Sequence, residues 1–337
     1  MNILLTGGTG YIGSHTAVVL SQLGHRVVLL DNLSNSNAQV VDQLRRITGL
    51  DMPLVHGDVR DTPVVQHTLE KFDIQAVVHF AGLKAVGESV QKPVEYFSNN
   101  VQGTLSVLQA MQAHGVNTLV FSSSATVYGE PQFLPLTESH PTGATNPYGR
   151  SKLHVEEILA DLARSDPKWK IACLRYFNPV GAHASGLIGE NPNGIPNNLM
   201  PFIAQVAWGQ RTELQVFGND YATPDGTGVR DYIHVMDLAQ GHAAAIDYLK
   251  QHPGCHPINL GTGQGYSVLE MVRAFERASG QAVPYRVTPR RPGDVAACYA
   301  NPQKAHELLN WQAQLSLDDM CTSTWHFQQS LGRLESP

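Results

Sequence analysis

Thr6-Gly7-Gly8-Thr9-Gly10-Tyr11-Ile12-Gly13 decides the fold through what flanks it. Before it, Asn2-Ile3-Leu4-Leu5-Thr6 reads as a short apolar strand; after it, Ile12, Val19, Leu20 and Leu23 are the apolar positions of a helix. Strand, glycine loop and helix in this order open a dinucleotide-binding unit. Gly7 and Gly10 permit a tight turn and close approach of backbone to a pyrophosphate. Gly13 lets the helix touch the sheet, and the helix N-terminus attracts phosphate charge. A glycine-rich stretch by itself is often a plain turn, so the context carries the reading.

Working outward, the second apolar run, Arg26-Val27-Val28-Leu29-Leu30, ends at Asp31. An acid about 20 residues beyond such a loop accepts hydrogen bonds from an adenosine ribose. A carboxylate there repels a 2′-phosphate and so favours NAD over NADP; the alternative is a solvated strand end or a helix cap. Further strands are expected at 53–56, 76–80, 118–122 and 170–175, with helices between them, one after Pro93 and one carrying Pro147 in its first turn. By the same topology Asp58 and Val59, after the third strand, would touch the adenine. The expected fold class is α/β, a doubly wound Rossmann-type parallel sheet over residues 1–177. After Phe177 the texture changes to a Gly-, Pro- and Asn-rich stretch at 186–201, so a smaller α/β substrate-binding lobe is expected over 178–337. There, Ser267-Val268-Leu269-Glu270 reads as a capping box opening a helix through Ala278.

With 42% apolar residues, 15% charged residues and a net charge of −6, the chain has no electrostatic case for nucleic acid or an anionic membrane as partner. The first residues read as a strand and lack the features of a signal peptide, and no stretch is long and apolar enough to span a bilayer, so the cytoplasm is the expected compartment. Four cysteines, Cys173, Cys255, Cys298 and Cys321, are far apart in sequence with no C-x-x-C spacing; reduced thiols are expected, and no metal. His252, Cys255 and His256, beside Pro253 and Pro257, read as a surface turn.

The chemistry points to Tyr148-Gly149-Arg150-Ser151-Lys152 at a helix start. Four residues apart, Tyr148 and Lys152 share one helix face. A phenol titrates near 10 and must drop by roughly three units, about 4 kcal/mol, to act as a base near neutrality. A nearby ammonium and an oxidised nicotinamide are charges that lower it. Tyr-x-x-x-Lys alone is common on ordinary helices; its place downstream of a dinucleotide site makes it chemical. Ser124, closing the run Ser122-Ser123-Ser124, is either a hydrogen-bonding partner of a substrate hydroxyl or a turn former at the carboxyl edge of the sheet.

These features together resemble the extended short-chain dehydrogenase/reductase family. The stretches His79-Phe80-Ala81-Gly82-Leu83-Lys84-Ala85-Val86-Gly87-Glu88-Ser89, Arg175-Tyr176-Phe177-Asn178-Pro179-Val180-Gly181-Ala182 and Gly228-Val229-Arg230-Asp231-Tyr232-Ile233-His234-Val235 are similar to its UDP-hexose 4-epimerase branch, over nearly the whole chain. That resemblance implies an NAD-dependent isomerase that interconverts UDP-galactose and UDP-glucose through a transient 4-keto sugar and bound NADH. It implies Tyr148 as base, Ser124 aligning the 4-hydroxyl, and Lys152 holding the ribose while lowering the tyrosine pKa. The cofactor would meet Gly7, Gly10, Tyr11, Ile12 and Gly13, then Asp31, Asn32, Leu33, Ser34, Asn35 and Ser36, then Asp58 and Val59. Phe80, Ala81, Gly82, Leu83, Lys84, Asn99 and Phe177 would complete its lining with Ser124, Tyr148 and Lys152. The UDP-sugar would be held by Asn178, Asn198, Leu199, Gln215, Val216, Phe217, Arg230, Arg291 and Asp294, with Lys84, Ser124 and Tyr148 at the sugar. Arg230 and Arg291 suit a diphosphate because a guanidinium offers a bidentate fork.

Sister 4,6-dehydratases add an acid beside the active serine, where this chain has Ala125-Thr126, so water elimination lacks its proton donor. A net reductase would need exchangeable cofactor, and an NAD-sensing protein would have no reason to keep Tyr148, Lys152 and Ser124 together. Cys298 stands where bacterial relatives often carry a bulky tyrosine near the sugar, which leaves room for an N-acetyl group; the plain alternative is a small packing residue. The resemblance also implies a homodimer pairing helices near 93–114 and 147–165. The stripe Val101, Leu105, Leu108 and Met111 fits either that partner or the chain's own core.

Overall fold

The expected strands pair in parallel in a computed structural model that describes residues 1–334 apart from positions 193, 195, 197 and 292. They are β1 (Asn2–Thr6), β2 (Arg26–Asp31), β3 (Leu54–His56), β4 (Ala76–His79), β5 (Thr118–Ser124) and β6 (Lys170–Tyr176). Between them run α1 (Tyr11–Gln22), α2 (Gln39–Thr48), α3 (Thr62–Lys71), α4 (Val86–Gln91), α5 (Pro93–Phe97), a π-helical turn Ser98–Gln102, α6 (Gly103–Ala113) and α7 (Pro147–Ser165). The later chain adds β7 (Asn178–Val180), α8 (Leu199–Ala207), β8 (Leu214–Phe217), β9 (Val229–His234), α9 (Val235–Leu249) and β10 (Gly254–Leu260). It ends with β11 (Gly265–Ser267), α10 (Val268–Ser279), β12 (Tyr285–Thr288), β13 (Ala297–Cys298), α11 (Gln303–Leu309) and α12 (Leu317–Leu334).

Among the described residues the main sheet has seven parallel strands in the order β10-β6-β5-β4-β1-β2-β3. Both of its faces are covered, which is why the strands are unbroken apolar runs. Alternate residues serve opposite faces. Leu4, Val28, Leu30, Val77, Leu119 and Phe121 pack with Val65 and Leu69 of α3, Leu108 and Met111 of α6 and Leu159 of α7. Ile3, Leu5, Val27, Leu29, Val78 and Val120 pack with Val18 and Leu20 of α1, Leu44 of α2 and Ile246 of α9. Strand order reverses between β1 and β4, and the crevice beyond their carboxyl ends is where such sheets bind ligands.

The domain expectation needs correction. The sheet's seventh strand, β10, and α9, which packs on α1, both lie beyond residue 177, so one cut there does not separate the two parts. Residues 178–234 leave the sheet and the chain then returns to it; the loop-rich texture after Phe177 marks the departure but not the return. The second lobe has its own core of Met200, Ile203, Val216, Met271, Phe275 and Cys321 from α8, β8, α10 and α12. Its strands pair as β8 with β12, while β9 is flanked by β7, β11 and β13. The Ser267–Glu270 capping box is formed as read, opening α10, which runs to Ser279.

Two smaller differences follow from packing. Cys173 and Cys255, distant in sequence, face each other across β6 and β10 as free thiols with sulfurs 3.7 Å apart. In the α6 stripe, Leu108 and Met111 belong to the sheet's core and Val101 packs against it, whereas Leu105 is 40% exposed. His252 and His256 pack on the ring of Tyr248, at 4.0 and 5.2 Å between centroids. Among the described residues no group of three or more His, Cys, Asp or Glu side chains is placed to hold a metal.

Candidate active site

At the carboxyl edge of the sheet, Gly7 sits at φ +67°, and a Cβ on it would lie 2.8 Å from the backbone nitrogen of Ala81. A Cβ on Gly13 would collide with the Gly7 carbonyl. Only glycine therefore lets the loop, the helix and the β4 exit approach one another. Gly10 caps α1 with no side-chain hydrogen bond and no acid in the first turn, so the first N–H groups have no side-chain anion competing for them. This donor set fits a dinucleotide pyrophosphate.

Asp31, 7% exposed at the end of β2, is engaged through both of its oxygens. Its Oδ2 accepts from the Thr9 backbone at 3.1 Å, and its Oδ1 from the Leu33 backbone at 2.9 Å and the Ser36 hydroxyl at 3.1 Å. It thus ties the 32–36 loop to the glycine loop, with Leu33 at φ +59°. Asp58 is occupied too: Arg60 donates to it through Nε at 2.9 Å and Nη2 at 2.8 Å, and Asn32 at 3.0 Å. The Arg60 hydrogen bond is the main reason its carboxyl titrates well below the usual range. Val59 is 5% exposed and its side chain packs into the core, so it would meet a ligand through its backbone.

The Phe80–Lys84 loop is held by a residue the sequence reading missed. Asn100, buried beside the expected Asn99, accepts from the Leu83 backbone at 2.8 Å and donates to the Leu83 carbonyl at 3.0 Å and the Ser151 hydroxyl at 2.9 Å. One side chain therefore fixes the β4 exit against α7. A signal existed: Asn99-Asn100 interrupts a helical run with two poor helix formers, and the turn there is π-helical, a form frequent at functional sites.

α7 starts where Pro147 predicts, with the Asn146 side chain accepting from the Gly149 backbone at 2.9 Å. One turn apart on it stand Tyr148 and Lys152. Lys152, 5% exposed, donates to the Ser122 carbonyl at 2.7 Å and lies 4.9 Å above the Phe121 ring. Burial lowers its ammonium to about 8. Ser124 ends β5, its Oγ accepting from the Thr126 backbone at 3.2 Å and hydroxyl at 3.0 Å. Burial raises the Tyr148 phenol, and a hydrogen bond with Ser124 partly offsets this. The Lys152 ammonium donates to the Ser122 carbonyl, and burial, which raises the Tyr148 phenol, outweighs its hydrogen bond with Ser124.

Across the cleft, Arg291 donates to Asp294 through Nε and Nη2, both at 3.1 Å, and lies 5.2 Å from the Phe217 ring centroid. Arg230 Nη1 donates to the carbonyls of Val229 at 2.8 Å and Val295 at 2.9 Å, and its Nη2 lies 3.9 Å from Asp294. Asn178 and Gln215 are exposed, Asn198 immediately precedes α8 and Leu199 begins it. The Val216 side chain is 1% exposed in the lobe's core, so its backbone is what it offers a ligand. Cys298 stands opposite Arg230 on β13 and packs against Val127, Tyr128 and the buried Phe177, next to the Ser124 turn. Burial pushes its thiol up to about 11.

Comparison with known proteins agrees with this geometry. A family model described as GDP-mannose 4,6 dehydratase matches residues 4–324. A UDP-glucose 4-epimerase of Mus musculus is 58% identical over 334 residues, covering 97% of this chain and 96% of the relative. The crystal structure of a UDP-glucose-4-epimerase from Stenotrophomonas maltophila, with bound NAD and formylated UDP-arabinopyranose, superposes with a TM-score of 0.97 at 53% identity over 99% of both chains. One from Bifidobacterium longum, in complex with NAD+ and UDP, gives 0.95 at 53% identity over 98% of both.

Proposed function

The chain belongs to the UDP-glucose 4-epimerases, and from that membership we propose which of its residues interconvert UDP-galactose and UDP-glucose. Bound NAD supplies the reversible oxidation at C4 that lets the hydroxyl return on the opposite face. Tyr148 takes the proton of the 4-hydroxyl and gives it back, and Ser124, hydrogen-bonded to it, aligns that hydroxyl. Lys152 keeps a buried ammonium one helical turn away and holds the ribose. A phenol is protonated near neutrality and burial raises Tyr148 further, so its activation needs the positive charge of the loaded site, to which Lys152 is the chain's own contribution. Asp31 faces the adenosine ribose and excludes a 2′-phosphate. Arg230 and Arg291 clamp the diphosphate, with Asp294 orienting both guanidinium groups.

The observation that carries this reading is the placement of Ser124, Tyr148 and Lys152 together beyond the carboxyl edge of the sheet, facing the glycine loop's crevice. Purified protein given UDP-galactose and no added NAD should form UDP-glucose. Tyr148→Phe should lose roughly 10²- to 10⁴-fold in kcat while keeping its dinucleotide. Parent protein that is empty of dinucleotide and unable to bind it overturns the reading. The substrate range extends to UDP-GlcNAc and UDP-GalNAc, because Cys298 is small where it packs beside the catalytic turn. A homodimer is supported by the exposed apolar side chains Val90, Val94 and Leu105 on α4 to α6, and the cytoplasm is the compartment in which Cys173 and Cys255 stay reduced. Among the described residues no helix is long and apolar enough to cross a membrane.

A further inference from the structure

Glu190 has no role in the chemistry above, yet its side chain is only 8% exposed and its Oε2 is buried with no hydrogen-bond partner. A polar oxygen left unpaired in the interior is costly, so an acid kept there is better explained by what its other oxygen does. Oε1 accepts from two donors at once, Lys84 Nζ at 2.8 Å and Asn198 Nδ2 at 2.6 Å. Lys84 leaves the β4 exit on the cofactor side; Asn198 immediately precedes α8 in the second lobe. Among the described residues this is the one ion pair that joins a residue before 178 to one after it. Tyr11, at the start of α1, donates to the Gly181 carbonyl at 2.7 Å and shares with Glu190 a small cavity closed by α8 and α12. The acid thus sits at the seam between the two lobes.

We propose that Glu190 is a positioning residue for the UDP-sugar, holding Lys84 and Asn198, from opposite lobes, at the separation in which both meet the ligand. This rests on the reading of those two residues as substrate contacts. A buried carboxylate suits the task because it accepts from an ammonium and an amide together and fixes a lysine whose head is otherwise free to roam. Asn198 and Glu190 both lie in the Gly- and Pro-rich stretch that follows Phe177, and through Lys84 Glu190 ties Asn198 to the sheet side.

The test uses the NAD-loaded enzyme with UDP-galactose. Glu190→Ala should raise KM roughly tenfold or more with kcat within about threefold, since a lost binding contact acts on the ground state and transition state alike. Glu190→Gln, which keeps an acceptor, should restore KM to within about threefold of the parent. The double variant Lys84→Ala/Glu190→Ala should fall well short of the product of the two single effects, because Glu190 acts in part through Lys84. An unchanged KM in Glu190→Ala, single effects that multiply in full, or a lowered Tm with normal kinetics each overturn the proposal. Glu190→Met, close in volume, replaces the alanine variant if that one does not fold. A parent enzyme without turnover would overturn the epimerase reading instead; the same variants are then compared by calorimetric binding of UDP-galactose, where an unaltered affinity in Glu190→Ala overturns this proposal.

Discussion

The ion pair beneath the catalytic turn allows a prediction with worked magnitudes. Arg175 on β6 meets Glu156 on α7 through Nη2 at 2.6 Å and Nε at 3.0 Å, and the two side chains are 5% and 7% exposed. Ser123 donates to the same carboxylate at 2.5 Å, and Arg175 Nη1 reaches the Tyr128 hydroxyl at 3.0 Å, which itself donates to Asn259 at 2.6 Å. Removing either partner by Glu156→Leu or Arg175→Met leaves an uncompensated buried charge, at a cost of about 3–5 kcal/mol. Removing both takes the charges away together. What remains is chiefly the stranded Ser123 hydroxyl, about 1–3 kcal/mol, since Tyr128 keeps Asn259. The double variant should therefore be more stable than either single one, whereas independent effects would sum to about 6–10 kcal/mol. Urea unfolding of NAD-loaded protein at pH 7, compared at the transition midpoints, reads this directly. The singles should also lose activity, because Ser123 adjoins Ser124 and Glu156 follows Lys152 by one turn of α7. A double variant as unstable as the sum of the two would refute the account of the network as a mutually compensated pair.

Two further outcomes are expected. Cys298→Tyr should reduce turnover of UDP-GalNAc roughly 10- to 200-fold relative to UDP-galactose, measured as the ratio of kcat/KM values; an unchanged ratio removes Cys298 from the sugar pocket. Acid should unfold the protein through its buried histidines. Burial lowers His15 and His79 from the ordinary 6.5 to about 3, and His234 and His242 to about 4. With folded values depressed, the unfolded chain binds more protons below 6.5, so the stability present at pH 7 is lost as pH falls from about 6.5 towards 4. The loss is up to about 2 kcal/mol for each histidine by pH 5, and a urea midpoint unchanged between pH 7 and pH 5 would show that these imidazoles are not held neutral.

Much of this protein was legible without coordinates because the deciding patterns are local. A strand buried on both faces must be a continuous apolar run, and β1, β2, β4, β5 and β6 carry such runs, whereas β3 is a short, half-exposed edge strand. A helix places residues four apart on one face whatever surrounds it, which puts Tyr148 beside Lys152, and Asn146-Pro147 marks the start of α7 through capping chemistry within three residues. Asp31 was found for the same reason, at the end of a recognisable strand.

What only the tertiary structure decided concerns partners far apart in the chain. Lys84 and Glu190 are 106 residues apart, and no periodicity links them. The return of β10 to the sheet, the meeting of Cys173 with Cys255 and the hold of Asn100 on Leu83 and Ser151 all depend on which surfaces bury each other. Electrostatics follows the same rule: the spacing put an ammonium near the phenol, but packing gave Lys152 to the Ser122 carbonyl and left desolvation to set Tyr148. Local spacing determines the face on which a side chain lies, whereas its hydrogen-bond partner and its exposure to water are set by what the rest of the chain brings against that face.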